Sequence, residues 1–299
     1  MRNNPVYKRE MAVRARSPRI PVLIMLFNGI LAAAALLNMY SSIVQVRISN
    51  TIRYESFLQL YAFVATLEFL LLMFIMPALT SASISGERER HTLELMFTTR
   101  LRAADIVAGK LMSALSQLLV MAFSSFPVLL LTFVYGSMNL KDLALLMFCF
   151  VTVALFCGSL GIFASALMRR STFSNVVTYG TLLAAVAGTY LFNQFLLNVS
   201  QMEVNSMILQ AGEVRPAPSS GWAAYLLLLN PAATFAELLE SQVSGGGGQF
   251  TVRYFLGAAS GNFITEHWVF VSAAIQLALS AVLLRGAVWF LEPVRRKRK

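Results

Sequence analysis

Charge is scarce in this 299-residue chain. Asp, Glu, Lys and Arg make up 13% of it, where a soluble domain carries about 25%. Too few charged side chains are present to cover a water-facing surface, which excludes a soluble enzyme of one or two domains. A hydrophobic content of 57% excludes a disordered chain as well. Cysteine is almost missing: Cys149 and Cys157 share one apolar run, which suits buried packing and supports neither a disulfide framework nor a metal site. The two histidines, His91 and His267, stand in separate loops, and there is no His-Glu-x-x-His. No Gly-x-x-x-x-Gly-Lys-Ser/Thr occurs either, so no catalytic or nucleotide-binding motif is expected on this chain. Convincing internal repeats between the two halves are also lacking.

Long apolar runs are what the chain does have. About 20 consecutive apolar residues cross a bilayer as a helix, and six stretches qualify: 20–40, 57–79, 111–135, 143–168, 173–197 and 268–290. Only helices and closed barrels satisfy their backbone in lipid, and the alternation of a barrel strand is absent. The expected fold is therefore all-α, a polytopic membrane protein with one transmembrane domain over 1–299. The net charge of +10 sits in blocks between the runs, so the expected surface partner is the lipid bilayer and no nucleic acid. Nineteen Lys and Arg fall at the N-terminus, in the 80–110 loop, at Arg169 and Arg170, at Arg285 and in the tail. Five fall elsewhere: Arg47, Arg53, Lys141, Arg215 and Arg253. This asymmetry places both termini and the second loop in the cytoplasm of a multi-pass protein of the cell (inner or plasma) membrane. The first run follows a basic leader, but at 21 residues it is longer than a usual signal-peptide core and is expected to remain. Residues 221–239 are apolar too, yet Asn230-Pro231 in their middle and Glu237 near their end favour an interfacial or re-entrant segment.

Between the runs, residues 4–19 interleave Lys8, Arg9, Arg14, Arg16 and Arg19 with Val6, Tyr7, Met11 and Val13. Either a helix lying in the headgroup plane or a plain positive anchor fits this pattern. Pro18 and Pro21 break it before the first span. The outer loop 198–267 is long and carries the flexible Gly245–Gly248 run and aromatic residues suited to the membrane interface. The cytoplasmic loop 84–110 is the most informative segment. Glu87, Arg88, Glu89, Arg90 and Glu94 surround Leu93, Leu95, Met96 and Phe97. A solvated tether has no need of these four large apolar residues. Two readings fit: a short helix that docks into a groove of another protein, or one packed on its own bundle.

This loop resembles that of permease subunits of exporter-type ATP-binding-cassette transporters, which runs roughly Gly-Glu-(Lys/Arg)-Glu-x-Gly-Thr-Leu-Glu-x-Leu. The matching residues are Gly86, Glu87, Arg88, Glu89, Thr92, Leu93, Glu94, Leu95 and Met96, followed by Thr98, Thr99, Ile106, Gly109 and Lys110. His91 stands where glycine is common, and Arg100 where proline is common. Asn4-Pro5-Val6-x-x-Arg9-Glu10 is similar to the family's interfacial elbow helix. The resemblance implies a coupling helix between spans two and three, formed by Glu87, Arg88, Glu89, Arg90, Thr92, Leu93, Glu94, Leu95, Met96 and Phe97. It further implies docking on a separate ATPase subunit that binds ATP and Mg. The permease then has no catalysis, metal or cofactor of its own, and works with a second permease, as a homodimer or with a sibling chain. Glu87, Glu89 and Glu94 would pair with basic residues of the ATPase, while Leu93, Met96 and Phe97 fill its groove.

Inside the membrane, Glu68 is the one deeply placed ionisable group, and such groups face protein or water. It either lines the substrate pathway or serves helix packing. Asn193 and Gln194 are weaker pathway candidates. Gly158, Gly161 and Ser165 suit close helix packing. The rival to an ATP-driven permease is a secondary transporter driven by an ion gradient, which would need no ATPase.

Overall fold

The computed structural model describes residues 5–49, 55–98, 101–136, 139–207, 216–243, 251–257 and 262–296. Among these residues there are helices and turns and no strand. Arg100, the glycine run at 245–248 and residues 297–299 of the basic tail lie outside them.

Helix α1 (Pro5–Ala15) stops before Ser17-Pro18, and α2 (Arg19–Ser49) begins directly after that proline. Then follow α3 (Glu55–Thr80), the short α4 (Ser85–Glu89) and α5 (Thr92–Thr98), α6 (Ala103–Gly136) and α7 (Leu140–Leu167). A further pair, α8 (Ser171–Leu183) and α9 (Thr189–Ser206), is joined through a π-helical turn at Ala184–Gly188. Six of these stretches are long and apolar enough to cross a membrane: α2, α3, α6, α7, α8 continued into α9, and α13 (Trp268–Arg296). Each contains the run expected from sequence, except that α7 ends one residue earlier. The long apolar composition makes them helical, and local chemistry sets where some of them begin. Asp105 accepts the Arg102 backbone N–H at 3.1 Å and starts α6 ahead of its apolar stretch. Asp142 does the same for Asn139 at the start of α7, also at 3.1 Å.

Two compact units emerge, Met1–Thr178 with Leu279–Lys299, and Tyr179–Ala278. In the first, α6 and α7 form the centre: 67% and 61% of their apolar windows are buried, against 11% for α2. Small residues let α7 approach α3 closely. A Cβ on Gly161 would collide with the Thr80 side chain and stand 3.2 Å from the Ser81 backbone nitrogen.

In the second unit, a 3-10 helix at Gly221–Leu229 and α10 (Pro231–Val243) meet at a 99° bend. The bend falls on Asn230-Pro231, where the sequence reading denied a straight span. Pro231 occupies the first helical position, where its missing N–H costs nothing. The buried Asn230 caps α10 by accepting the Ala232 N–H at 2.9 Å. Its amide nitrogen donates to the Val186 carbonyl at 3.2 Å and to Thr189 Oγ1 at 2.9 Å. It thus supplies a donor to the π-helical turn, where the regular backbone ladder is interrupted. Leu227, Phe255 and Trp268 anchor the apolar core of this unit; Val252 and Phe255 come from α11 (Val252–Leu256), while α12 (Phe263–Glu266) leads into α13.

Candidate functional site

The charged residues of the loop after α3 divide by direction. Ile84 and Ser85 donate their backbone N–H groups to Ser165 Oγ of α7, both at 2.9 Å. Those are orphan donors at the start of α4, and a hydroxyl on a neighbouring helix satisfies them. The turn before them is held to α8, where Ser174 Oγ donates to the Ser81 carbonyl at 2.5 Å and the Ser81 hydroxyl donates to Asn175.

Glu87, Arg88 and Glu89 all turn toward this chain. Glu87 Oε1 lies 2.9 Å from Lys110 Nζ, which also reaches Glu10 Oε1 at 3.3 Å. A single buried ammonium therefore ties α1, α4 and α6 together. The Arg88 guanidinium donates to the carbonyls of Ala166 and Met168, each at 3.1 Å, closing the C-terminal end of α7. Glu89 accepts the backbone N–H of Ser171 at 2.9 Å and its hydroxyl at 2.7 Å. A carboxylate at that end of α8 meets the positive end of the helix dipole.

Arg90 ends α4, and His91 follows with a left-handed backbone at φ +57°. That sharp reversal redirects the chain into α5, and Thr92 Oγ1 donates back to the Glu87 carbonyl at 3.2 Å. On α5, residues 93, 96 and 97 share one face by helical spacing. Leu93 and Met96 are buried, and Phe97 packs against the cluster of Val6, Met96 and Ile106. Leu95 points the other way and is 64% exposed, beside exposed Arg90, His91 and Glu94. The α5 surface presented outward is thus one leucine among charged and polar neighbours. Leu93, Met96 and Phe97 are occupied with α1 and α6 or with the interior. The resemblance implies Leu93, Met96 and Phe97 together in a partner's groove, whereas here they face this chain, as in the reading of a helix packed on its own bundle. Sequence reasoning marked Ser165 for helix packing and Glu10 for the elbow, and passed over Ser171. It linked none of the three to the loop, whose residues lie some 80 to 100 positions away in sequence. The 93/96/97 spacing was the one local signal that separates them from Leu95.

The membrane-embedded candidates occupy different places. Glu68 is fully buried in α3 and accepts a hydrogen bond from Ser125 Oγ of α6 at 2.5 Å. Its second oxygen meets no donor among the described residues. Asn193, fully buried in the other unit, donates to the Thr189 carbonyl at 2.9 Å and accepts from Ser220 Oγ at 2.8 Å. It pins the segment before the 3-10 helix onto α9. Gln194 is half-buried and donates to Asn198 Oδ1 at 3.4 Å. Glu68 and the loop residues belong to one unit, and Asn193 and Gln194 to the other. Among the described residues no group of three His, Cys, Asp or Glu side chains is placed to hold a metal ion.

No curated protein sequence matches the chain. A family profile described as ABC-2 family transporter protein matches residues 4–290, so nearly the whole chain, from α1 through six membrane helices, carries that family's pattern. The chain therefore belongs to the ABC-2 family of transporter proteins and is a multi-pass membrane permease subunit of an ATP-binding-cassette transporter.

Proposed function

We propose that this permease forms half of the translocation pathway of an ATP-driven exporter and couples to its ATPase through α5. The family pairs with an ABC ATPase subunit. The observation that carries the reading is the division of the α4–α5 segment. Its inner groups grip α1, α6, α7 and α8 through Lys110, Ser165, Arg88 and Glu89. Its outer surface offers Leu95 amid Arg90, His91 and Glu94. A force applied to Leu95 reaches four helices through short hydrogen bonds and ion pairs, so the segment works as a lever rather than a tether. An exposed leucine ringed by charge suits a single apolar anchor with a polar rim that sets register.

In this reading the ATPase, a separate chain, binds ATP and Mg, since the permease has no phosphate-binding Gly-x-x-x-x-Gly-Lys-Ser/Thr. The permease performs no catalysis, carries no metal or cofactor, and works with a second copy or a sibling permease. The basic termini and α4–α5 face the cytoplasm. Glu68 is retained as the pathway candidate of the α3–α6 seam; Asn193 and Gln194 are the corresponding candidates on α9.

Co-purification from native membranes tests the proposal. The wild-type chain is expected to bring down an ATPase subunit, and Leu95→Asp to lose it with no change in yield or melting temperature, because the Leu95 side chain is largely exposed. A Leu95→Asp protein that keeps the ATPase removes α5 as the docking element. A well-folded wild type that retains no ATPase in mild detergent favours a gradient-driven carrier instead.

A further inference from the structure

A cavity of about 330 Å³ opens beneath α4 and α5, within the size range of small-molecule sites, about 300–1,000 Å³. Its polar lining is Arg88, Arg169 and Glu94, and its apolar lining includes Leu93, Leu167 and Phe290. The arrangement is built rather than incidental. Arg88 is fixed by the Ala166 and Met168 carbonyls, and Phe290 is set edge-on against Phe163 at a centroid distance of 6.0 Å. Leu167 is the last residue of α7, and the membrane-crossing part of α13 ends at Glu292. The cavity therefore lies where two apolar helices leave the hydrocarbon layer, on the side of the membrane that carries α4 and α5.

We infer that this cavity is a phospholipid headgroup site. Arg88 and Arg169 both line this space. Arg88 gives two of its five N–H groups to Met168 and Ala166, and phosphate oxygens are the acceptors that guanidinium N–H groups match best. Leu167 and Phe290 offer the apolar wall that the upper acyl chain of a lipid needs and a free phosphate does not. Glu94 on the rim rejects a second negative charge and accepts a hydrogen bond, so the preferred headgroup brings a hydroxyl along with one phosphodiester, as phosphatidylglycerol does. Basic recesses between membrane helices are known to recruit anionic lipids through these forces. None of this depends on α5 docking to an ATPase, and the two readings fail separately.

The test uses the full chain in mild detergent, with native mass spectrometry reading the affinity of dioctanoyl phosphatidylglycerol and of dioctanoyl phosphatidylcholine. Wild type is expected to bind phosphatidylglycerol at least about fivefold more tightly than phosphatidylcholine. Arg169→Gln is expected to erase that preference, and Arg169→Lys to keep most of it. Arg170→Gln, an exposed neighbour outside the cavity, is expected to leave it intact. Both arginines are exposed, so each variant is expected to fold. Equal losses from Arg169→Gln and Arg170→Gln would overturn the site in favour of diffuse surface charge. Displacement of the lipid by millimolar inorganic phosphate would reassign it to a free anion. An unchanged lipid preference in Arg169→Gln, with loss of the co-purified ATPase, would reassign it to the protein partner.

Discussion

His91 is the residue at which local chemistry and tertiary need disagree most openly. Its φ of +57° places an L-residue with a Cβ in the left-handed region, at the position just past a helix end where glycine is the usual occupant. The resembling loop motif carries glycine there, and the structure supplies the reason: the chain must reverse between α4 and α5 for Leu93 to turn inward. A left-handed residue with a side chain costs about 1–2 kcal/mol, while glycine loses about 0.5–1 kcal/mol more backbone entropy on folding. The difference favours glycine, so His91→Gly is expected to raise stability by roughly 0.5–1 kcal/mol. A scanning thermal unfolding experiment in detergent should show a rise of about 1–3 °C; a fall would mean that the imidazole makes a contact worth more than the strain. Glu87, Arg88 and Glu89 show a different lesson at the same scale. Three consecutive charges resembling a docking motif are each consumed by a partner on another helix of the same chain. What a charge binds depends on which helix terminus lies across from it, and spacing within the loop does not encode that.

Among the elements, the bend between the 3-10 helix and α10 rests on one side chain. Asn230 caps α10 with its carbonyl oxygen, while its amide nitrogen serves the π-helical turn through Val186 and Thr189. The neighbouring polar groups continue inward, with Thr234 Oγ1 and Ser272 Oγ 2.5 Å apart and Gln276 Nε2 donating to Thr234 Oγ1 at 2.8 Å. Asn230→Ala is expected to remove a cap, worth about 1 kcal/mol, and the amide's two hydrogen bonds to Val186 and Thr189, worth about 0.5–1.5 kcal/mol each. The combined loss of roughly 2–4 kcal/mol should appear in urea or thermal unfolding, with Asn230→Asp intermediate because it keeps the cap and loses the donor. Equal stability of Asn230→Asp and wild type would show that the amide bonds to Val186 and Thr189 contribute nothing. The Asn-Pro pair was legible in the sequence as a break. Its link to a π-helical turn some forty residues away was not, because a π-helical turn has no composition of its own.

On the scale of the whole molecule, six crossings and the distribution of basic residues determine which loops share a side. Counting spans along the chain places Arg90 and Ser206 on opposite faces of the membrane. Both are exposed. Cys149 and Cys157 are buried, so they give no background in a thiol-labelling experiment. Arg90→Cys is expected to react with a membrane-impermeant maleimide only after the cells are opened, and Ser206→Cys in intact cells. The reverse pattern would invert the orientation and with it the placement of α4–α5 opposite a cytoplasmic ATPase.

Composition and hydropathy settled the fold class and the six crossings, because lipid leaves a backbone no polar partner and a run of apolar residues long enough to span it has one solution. Leu93, Leu95, Met96 and Phe97 marked the loop as something other than a tether for the same one-dimensional reason: apolar side chains in a charged loop need a surface to cover. The facing of each one was beyond that reading. Leu95 is left outward, Leu93 inward, and Glu87, Arg88 and Glu89 are bound into the bundle. Those outcomes follow from where the ends of α7 and α8 and the flank of α6 come to rest in three dimensions. A helix terminus, a carbonyl pair or a buried ammonium acts on whatever side chain the fold brings within about 3 Å, and sequence distance plays no part in that.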